Sequence, residues 1–368
     1  MRSSSPLFEP TTVAGLRLRN KVVMAPMTRW FSPAGVPGND VAAYYVGRAK
    51  AEVGLIITEG VNIDHPGSAG FANVPTMFGE PALSAWTSIV ERIHDAGGKV
   101  IPQLWHVGST RRAGPDTGPA PGYGPMQVIE GGRVAVVALD EAEIARIRRA
   151  FADAAKQALH AGFDGVELHG AHGYLLDQFM RRCTNGRKDG YGGSLAARMR
   201  LPMEIVADIR RAAPSTFPIV FRFSQWTMDD YGARLAETPQ ELEEILSLLA
   251  SAGTDVFHVS TRRFWEPAFD GSPLSLAGWT KKLSGKPVIA VGSVGLDRAF
   301  DTVRNRKDSR SGHADLGDLN ERLAAAEFDL VAVGRGLLAD PQWVTKVRTG
   351  CVADLIPVSK HAYETLVV

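Results

Sequence analysis

TPQELEEILSLLASAGTDVFHVS, residues 238–260, is the stretch that decides how the chain folds. Thr238 is an N-cap residue, Pro239 stands at the first helical position, and Glu241 completes a capping box, so a helix starts here. It runs to Ala252 and stops at Gly253; the β-branched and aromatic run Val256-Phe257-His258-Val259 then reads as a strand. The same kind of run recurs along the chain as Val22-Val23-Met24-Ala25, Leu55-Ile56-Ile57-Thr58, Val100-Ile101-Pro102-Gln103-Leu104 and Gly165-Val166-Glu167-Leu168. Ile219-Val220-Phe221-Arg222-Phe223, Pro287-Val288-Ile289-Ala290-Val291 and Leu330-Val331-Ala332-Val333 complete the set of eight. Most are near-continuously apolar rather than alternating, the pattern of parallel strands covered on both faces.

Helical patterns lie between the strands. One is expected over 84–96, from the capping residue Ser84 to the stop at Gly97-Gly98, and another over 140–161, from an acidic first turn to Gly162. Ala-Gly shortly before a strand is the αβ-loop signal that ends three of these helices. Eight strands alternating with helices give an α/β fold, a (β/α)8 TIM barrel, read as a single domain over residues 1–368. The rival is a doubly wound sheet, but no G-x-G-x-x-G follows the first strand. A barrel of usual size needs about 250 residues, so there is room for loop insertions. Residues 110–138, rich in Gly and Pro, and 298–327 are where the excess is expected. Within the second, Arg304-Asn305-Arg306-Lys307-Asp308 reads as a solvated surface excursion. Residues 7–20 are expected to form an N-terminal hairpin capping the bottom of the barrel.

The 41 basic side chains against 40 acidic give a net charge of +1, no electrostatic footprint for nucleic acid or an acidic membrane surface. Two cysteines, Cys183 and Cys351, make no disulfide scaffold and no CxxC, which fits a reducing, cytoplasmic setting. The start Met1-Arg2-Ser3-Ser4-Ser5-Pro6 leads to no apolar signal core, and no apolar stretch reaches the roughly 18–20 residues of a membrane helix.

Active sites of such barrels are built at the C-terminal ends of the strands. Strand one ends in Pro26-Met27-Thr28-Arg29-Trp30, strand two in Glu59-Gly60, and strand three carries Gln103-Leu104-Trp105-His106. After strand four comes His169-Gly170-Ala171-His172-Gly173-Tyr174. Strand five supplies Arg222, strand six Ser260 and Thr261, strand seven Gly292-Ser293, and strand eight Gly334-Arg335-Gly336. The glycines after the last two strands let backbone N–H groups approach an anion, and Arg335 adds a charged fork, so a phosphate is expected there. His169 and His172 allow three readings: two N–H donors to one carbonyl oxygen, half of a metal site, or structural histidines. Tyr174 is placed to donate a proton from the same loop. His106 and His258 read as packing or outer residues.

With these motifs in order, the chain resembles the old yellow enzyme family of FMN-dependent ene-reductases over essentially its whole length. The resemblance is carried by Ala25-Pro26-Met27-Thr28-Arg29, Thr58-Glu59-Gly60, Gln103-Leu104-Trp105-His106 and the stretch from Gly165 to Leu176. Gln178-Phe179, Asp189 with Tyr191-Gly192-Gly193-Ser194, and Gly334-Arg335-Gly336-Leu337-Leu338-Ala339-Asp340-Pro341 extend it.

The resemblance implies a noncovalent FMN over the barrel mouth, reduced by NADPH or NADH, and a ping-pong reduction of α,β-unsaturated carbonyl compounds. Pro26, Met27 and Thr28 would lie along the flavin, with Thr28 at O4, and Gly60 would leave room for backbone contact. Gln103 would bind N3 and O2, Arg222 would face N1 and O2, and Gly292, Ser293, Gly334 and Arg335 would hold the phosphate. His169 and His172 would bind the carbonyl oxygen of the enone, and Tyr174 would protonate Cα. Trp30 and Trp105 would wall the substrate pocket, and the loop Arg262-Arg263-Phe264-Trp265 would form a lid, with Trp265 touching substrate.

Many relatives have His and Asn where this chain has His169 and His172, and one branch has Cys where Thr28 stands, so a thiol-tuned flavin is not expected. Gly190 replaces a usual acidic residue, and Ala196-Ala197 precede Arg198. No cysteine cluster appears near the C-terminus, unlike the iron–sulfur relatives with appended domains. The expected partners are a small enone substrate and, at most, a second copy of the chain, with no metal, nucleic acid or membrane. The other readings are a flavin barrel serving oxidation or nitro-group reduction, a redox-sensing barrel, and a metal-dependent hydrolase.

Overall fold

A computed structural model describes residues 5–115, 117–299 and 311–368. Eight parallel strands close into a barrel in chain order: Val22–Met24, Leu55–Asn62, Val100–Trp105, Val166–His169, Ile219–Ser224, Val256–Ser260, Val288–Val291 and Leu330–Val333. All eight runs expected from the sequence are there. The last strand closes onto the first through Val331↔Val22 and Val333↔Met24. Helices Asn39–Lys50, Glu80–Asp95, Glu141–His160, Leu195–Ala212, Pro239–Ala252, Leu276–Ser284 and Gly317–Ala324 lie between successive strands.

Each strand turns alternate residues to the barrel axis, and the inward set changes character along the strand. At the N-terminal end it is apolar: Val23, Leu55, Ile57, Ile101, Val220, Val256, Ile289 and Leu330 form one buried cluster. The hairpin of Thr11–Val13 and Leu16–Leu18 adds Val13 and Leu18 to it, and so plugs the bottom of the barrel. Two residues further along the strands, the inward positions are Gln103, Arg222 and His258, and next come Trp105 and Ser260. The alternate positions, Leu104, Phe221, Phe257 and Val259 among them, face the helices. A closed apolar floor therefore lies under a polar layer at the mouth.

Three details differ from the sequence reading. The second helix begins at Glu80 rather than at 84, because Pro81 fits a first turn and Gly79, at φ 81°, turns the chain into it. Ser84 is inside that helix. Residues 110–138 are not a plain loop: Gly122–Gly124, Val128–Glu130 and Arg133–Ala138 form a three-stranded sheet, turned by Gly131 and Gly132 at positive φ. The expected excursion over 298–327 contains the helix that precedes the last strand, Gly317–Ala324, which buries Leu319 and Leu323. Its polar run at 304–308 lies outside the described residues.

Candidate active site

A cavity of about 390 Å³ opens at the C-terminal mouth of the barrel. It is lined from every expected strand end but the second. Pro26, Met27, Thr28 and Trp30 come from the first, Gln103 and Trp105 from the third, His169, His172 and Tyr174 from the fourth, and Arg222 from the fifth. The last three supply Ser260 with Thr261, Gly292 with Ser293, and Gly334 with Arg335.

The floor of this cavity is a hydrogen-bonded polar layer. Glu167 is fully buried in strand Val166–His169; its Oε1 accepts from Gln103 Nε2 at 2.8 Å and its Oε2 from His258 Nδ1 at 2.7 Å. A carboxylate accepts only, so Nδ1 of His258 carries the proton. Burial lowers the pKa of His258, with Glu167 acting against it, and the ring is neutral. Arg222 is also buried; desolvation weakens its hold on its proton, and the Glu167 carboxylate opposes that. Its Nη2 donates to Ser260 Oγ at 3.3 Å, while its Nε has no partner among the described residues.

Above this layer stands an aromatic cage. The rings of His169 and His172 meet edge to face at 5.1 Å, and Tyr174 meets His169 at 4.9 Å and Trp105 at 4.9 Å. Trp226 stacks on His172 at 4.3 Å, and Phe71 bridges Trp30 and Trp105 at 6.1 Å each. Burial first, then the positive charge of Arg222, holds both imidazoles well below their ordinary pKa, so each is neutral at pH 7. Burial and the nearby Asp229 push the Tyr174 phenol up to about 12, so it keeps its proton. His172 adopts φ 67°, unusual for a side chain with a Cβ; Ser224 Oγ accepts its N–H at 3.1 Å. Among the described residues no three His, Cys, Asp or Glu stand together as a metal site.

The loop after the first strand is held from two sides. Glu59 Oε2 accepts the Arg29 N–H at 2.8 Å, and Arg29 Nη2 donates to the carbonyls of Ala362 and Thr365 near the C-terminus. Burial raises the Glu59 carboxyl to about 7, which marks it as a costly and tightly placed anchor. On the opposite rim Ser293, at φ 51°, donates its Oγ–H to the Arg262 carbonyl at 2.8 Å and accepts from Arg335 Nη2 at 3.4 Å.

Two expected site residues lie elsewhere. Gly60 sits beneath the Trp105 ring, where a Cβ would stand 2.4 Å from Cε3; its missing side chain accommodates that indole, and it does not line the cavity. The β-bulge between Ile57 and Gly60 displaces this strand end. Trp265 does not reach the cavity either, so of the expected lid Arg262 alone lines it. Phe264 is buried against Phe328, and Trp265 packs edge to face on Phe264 at 5.0 Å, so the apolar pair turns into the protein. Sequence reasoning missed Phe71, Trp226, Met228 and Tyr363, all cavity-lining.

The donor set fits a flavin mononucleotide. The unpaired Arg222 Nε is a buried cation awaiting an acceptor, and Gln103, with its N–H committed to Glu167, keeps Oε1 as an acceptor. Arg335 supplies a guanidinium at the rim, beside Gly292 and Gly334, suited to a phosphate.

No helix among the described residues is long and apolar enough to cross a membrane. The chain is 35% identical over 356 residues to an NADH oxidase of Thermoanaerobacter brockii, covering 94% of this chain but 51% of that protein, about half its length. It is 30% identical over 363 residues to a probable NADH-dependent flavin oxidoreductase of Bacillus subtilis, covering 94% of this chain and 88% of the other. Among solved structures, an old yellow enzyme homologue from Zymomonas mobilis superposes with a TM-score of 0.80 at 25% identity, covering 98% and 96% of the two chains. Morphinone reductase in complex with tetrahydroNAD gives 0.75 at 29% identity, covering 94% and 90%. A model of the NADH:flavin oxidoreductase / NADH oxidase family matches residues 6–354. The chain therefore belongs to this family, the old yellow enzymes, with FMN as cofactor and a reduced nicotinamide as electron donor.

Proposed function

We propose that the protein reduces the C=C bond of α,β-unsaturated carbonyl compounds. The observation that carries this reading is the convergence of two neutral imidazoles and one protonated phenol on a single aromatic-walled cavity. A neutral imidazole offers one N–H, and two such donors on one carbonyl oxygen stabilise the charge that builds there as the alkene is reduced. Polarisation through the carbonyl makes Cβ electrophilic. FMN, when bound, supplies the hydride that the nicotinamide delivers to it. Tyr174 then gives its proton to Cα, and a phenol with a pKa of about 12 readily takes another from water. Trp30, Phe71, Trp105 and Trp226 hold the substrate and exclude water.

The test is anaerobic and uses the FMN-loaded protein. NADH or NADPH should bleach its visible absorbance, and cyclohexenone should restore it. Restoration by nitro-compounds or quinones but not by enones would overturn the reading. Tyr174→Phe keeps the ring that packs against Trp105 and His169 and removes the proton. It should slow the enone half-reaction by about 10²–10⁴-fold and leave bleaching by nicotinamide at the wild-type rate. For the wild type, loss of proton donation by Tyr174 belongs only above about pH 10, given its raised pKa. A fall in that half-reaction centred near pH 8 would assign the proton to another group.

A further inference from the structure

Ser260 ends the strand Val256–Ser260 and is 3% exposed. Its Oγ stands 2.8 Å from His172 Nε2 and 3.3 Å from Arg222 Nη2. A hydroxyl has one proton and two lone pairs, and a guanidinium can only donate, so the Arg222 contact occupies a lone pair. That leaves one proton and one lone pair for the histidine. If His172 donated from Nε2, the serine proton would need another acceptor, and no other lies within hydrogen-bond distance of this hydroxyl among the described residues. If the serine donates, its proton has an acceptor in Nε2 and its lone pair a donor in Arg222. The His172 ring proton then resides on Nδ1.

We propose that Ser260 is a positioning residue that fixes His172 as the Nδ1–H tautomer and so turns an N–H, rather than a lone pair, toward the substrate oxygen. Nε2 is committed to Ser260, so Nδ1 is the ring nitrogen left for a ligand. A reversed tautomer would set a lone pair against the carbonyl oxygen and replace an attraction by a repulsion. Because Arg222 holds the other side of the same hydroxyl, the cation proposed to face the flavin and the residue proposed to polarise the substrate share one pivot. The ring itself is placed by other contacts: Trp226 stacks on it at 4.3 Å with a 25° interplanar angle, and Ser224 holds its backbone N–H. Loss of the Ser260 hydroxyl should therefore change the tautomer more than the position of the ring.

The significance for turnover rests on the proposed carbonyl-binding role of His172, but the tautomer can be read without any substrate. Histidine-selective ¹⁵N correlation spectra of the FMN-loaded enzyme near pH 8, with His172 assigned by comparison with His172→Asn, distinguish the two neutral tautomers directly. We expect Nδ1–H for wild type, a shift toward the Nε2–H form that histidine favours in water for Ser260→Ala, and a return to Nδ1–H for Ser260→Thr. Enone turnover should fall at least about tenfold in Ser260→Ala and recover in Ser260→Thr, with flavin content alike in all three. An Nε2–H ring in wild type, or an unchanged ring in Ser260→Ala, overturns the proposal; the wild-type spectrum decides even if a variant fails to fold. The expected tautomers with no enone turnover by wild type would sustain the Ser260 assignment and defeat the proposed reaction instead.

Discussion

Replacing His169 and His172 together by alanine is expected to lower enone turnover by at least about 10²-fold while the purified protein stays as yellow as the wild type. Loss of a single oxyanion-stabilising donor costs on the order of 10²–10³ in rate, and paired donors are not additive, so the double variant should fall at or beyond that range. His169 faces the cavity from the end of the fourth strand and His172 from the loop after it, above the polar floor rather than within it. Neither makes a hydrogen bond to Gln103, Glu167 or Arg222; the nearest link is through Ser260. Flavin content should therefore survive their loss. The discriminating measurement is the enone half-reaction by stopped flow, set beside the flavin-to-protein absorbance ratio. Equal loss of both would place the histidines among the cofactor-binding groups. Unchanged turnover would remove them from the reaction.

The barrel was legible because its strands are coded redundantly. Four of the helices between the strands start at a capping side chain, at Asp140, Ser194, Thr238 and Ser275, and most apolar runs are bounded by glycine or polar residues, as at 238–260, so local propensity and hydrophobic pattern agree. Most of the site was legible for the same reason, since strand ends fix where their next residues stand. What failed was local evidence without tertiary context. Ser84 looks like a cap, but Gly79 and Pro81 start that helix earlier. Trp265 looks like a lid residue, but its neighbour Phe264 is drawn into the core and takes it along. Phe71, Trp226 and Tyr363 reach the cavity from loops and from near the C-terminus, whose paths depend on packing that no spacing rule encodes. Glu167 is the instructive case. A carboxylate in the middle of an apolar strand was visible, and in a barrel it has to face inward and find partners.

Those partners make Glu167→Ala the substitution with the largest expected effect on the protein itself. Its carboxylate accepts from both Gln103 and His258 and is the negative charge opposing the desolvation of Arg222. Taking it away strands three groups at once: an amide N–H, an imidazole whose Nε2 already lacks a partner, and a buried guanidinium with no counter-charge. Leaving a buried donor without its acceptor costs about 1–3 kcal/mol, and more where the group is charged, so losing three at once takes a large share of the roughly 5–15 kcal/mol that stabilises an ordinary domain. The FMN-free variant should unfold at much lower urea concentration than the wild type or fail to accumulate as folded protein. Any that folds should bind FMN weakly, because Gln103 is no longer oriented. Glu167→Gln separates charge from shape: its amide oxygen can still accept from His258, but Arg222 loses its counter-charge, so an intermediate loss is expected. If Glu167→Ala matches the wild type in urea, the floor of the site is held by its apolar neighbours and not by this carboxylate. If Glu167→Gln alone matches it, hydrogen bonding rather than charge is what the strand needs from a residue at this position.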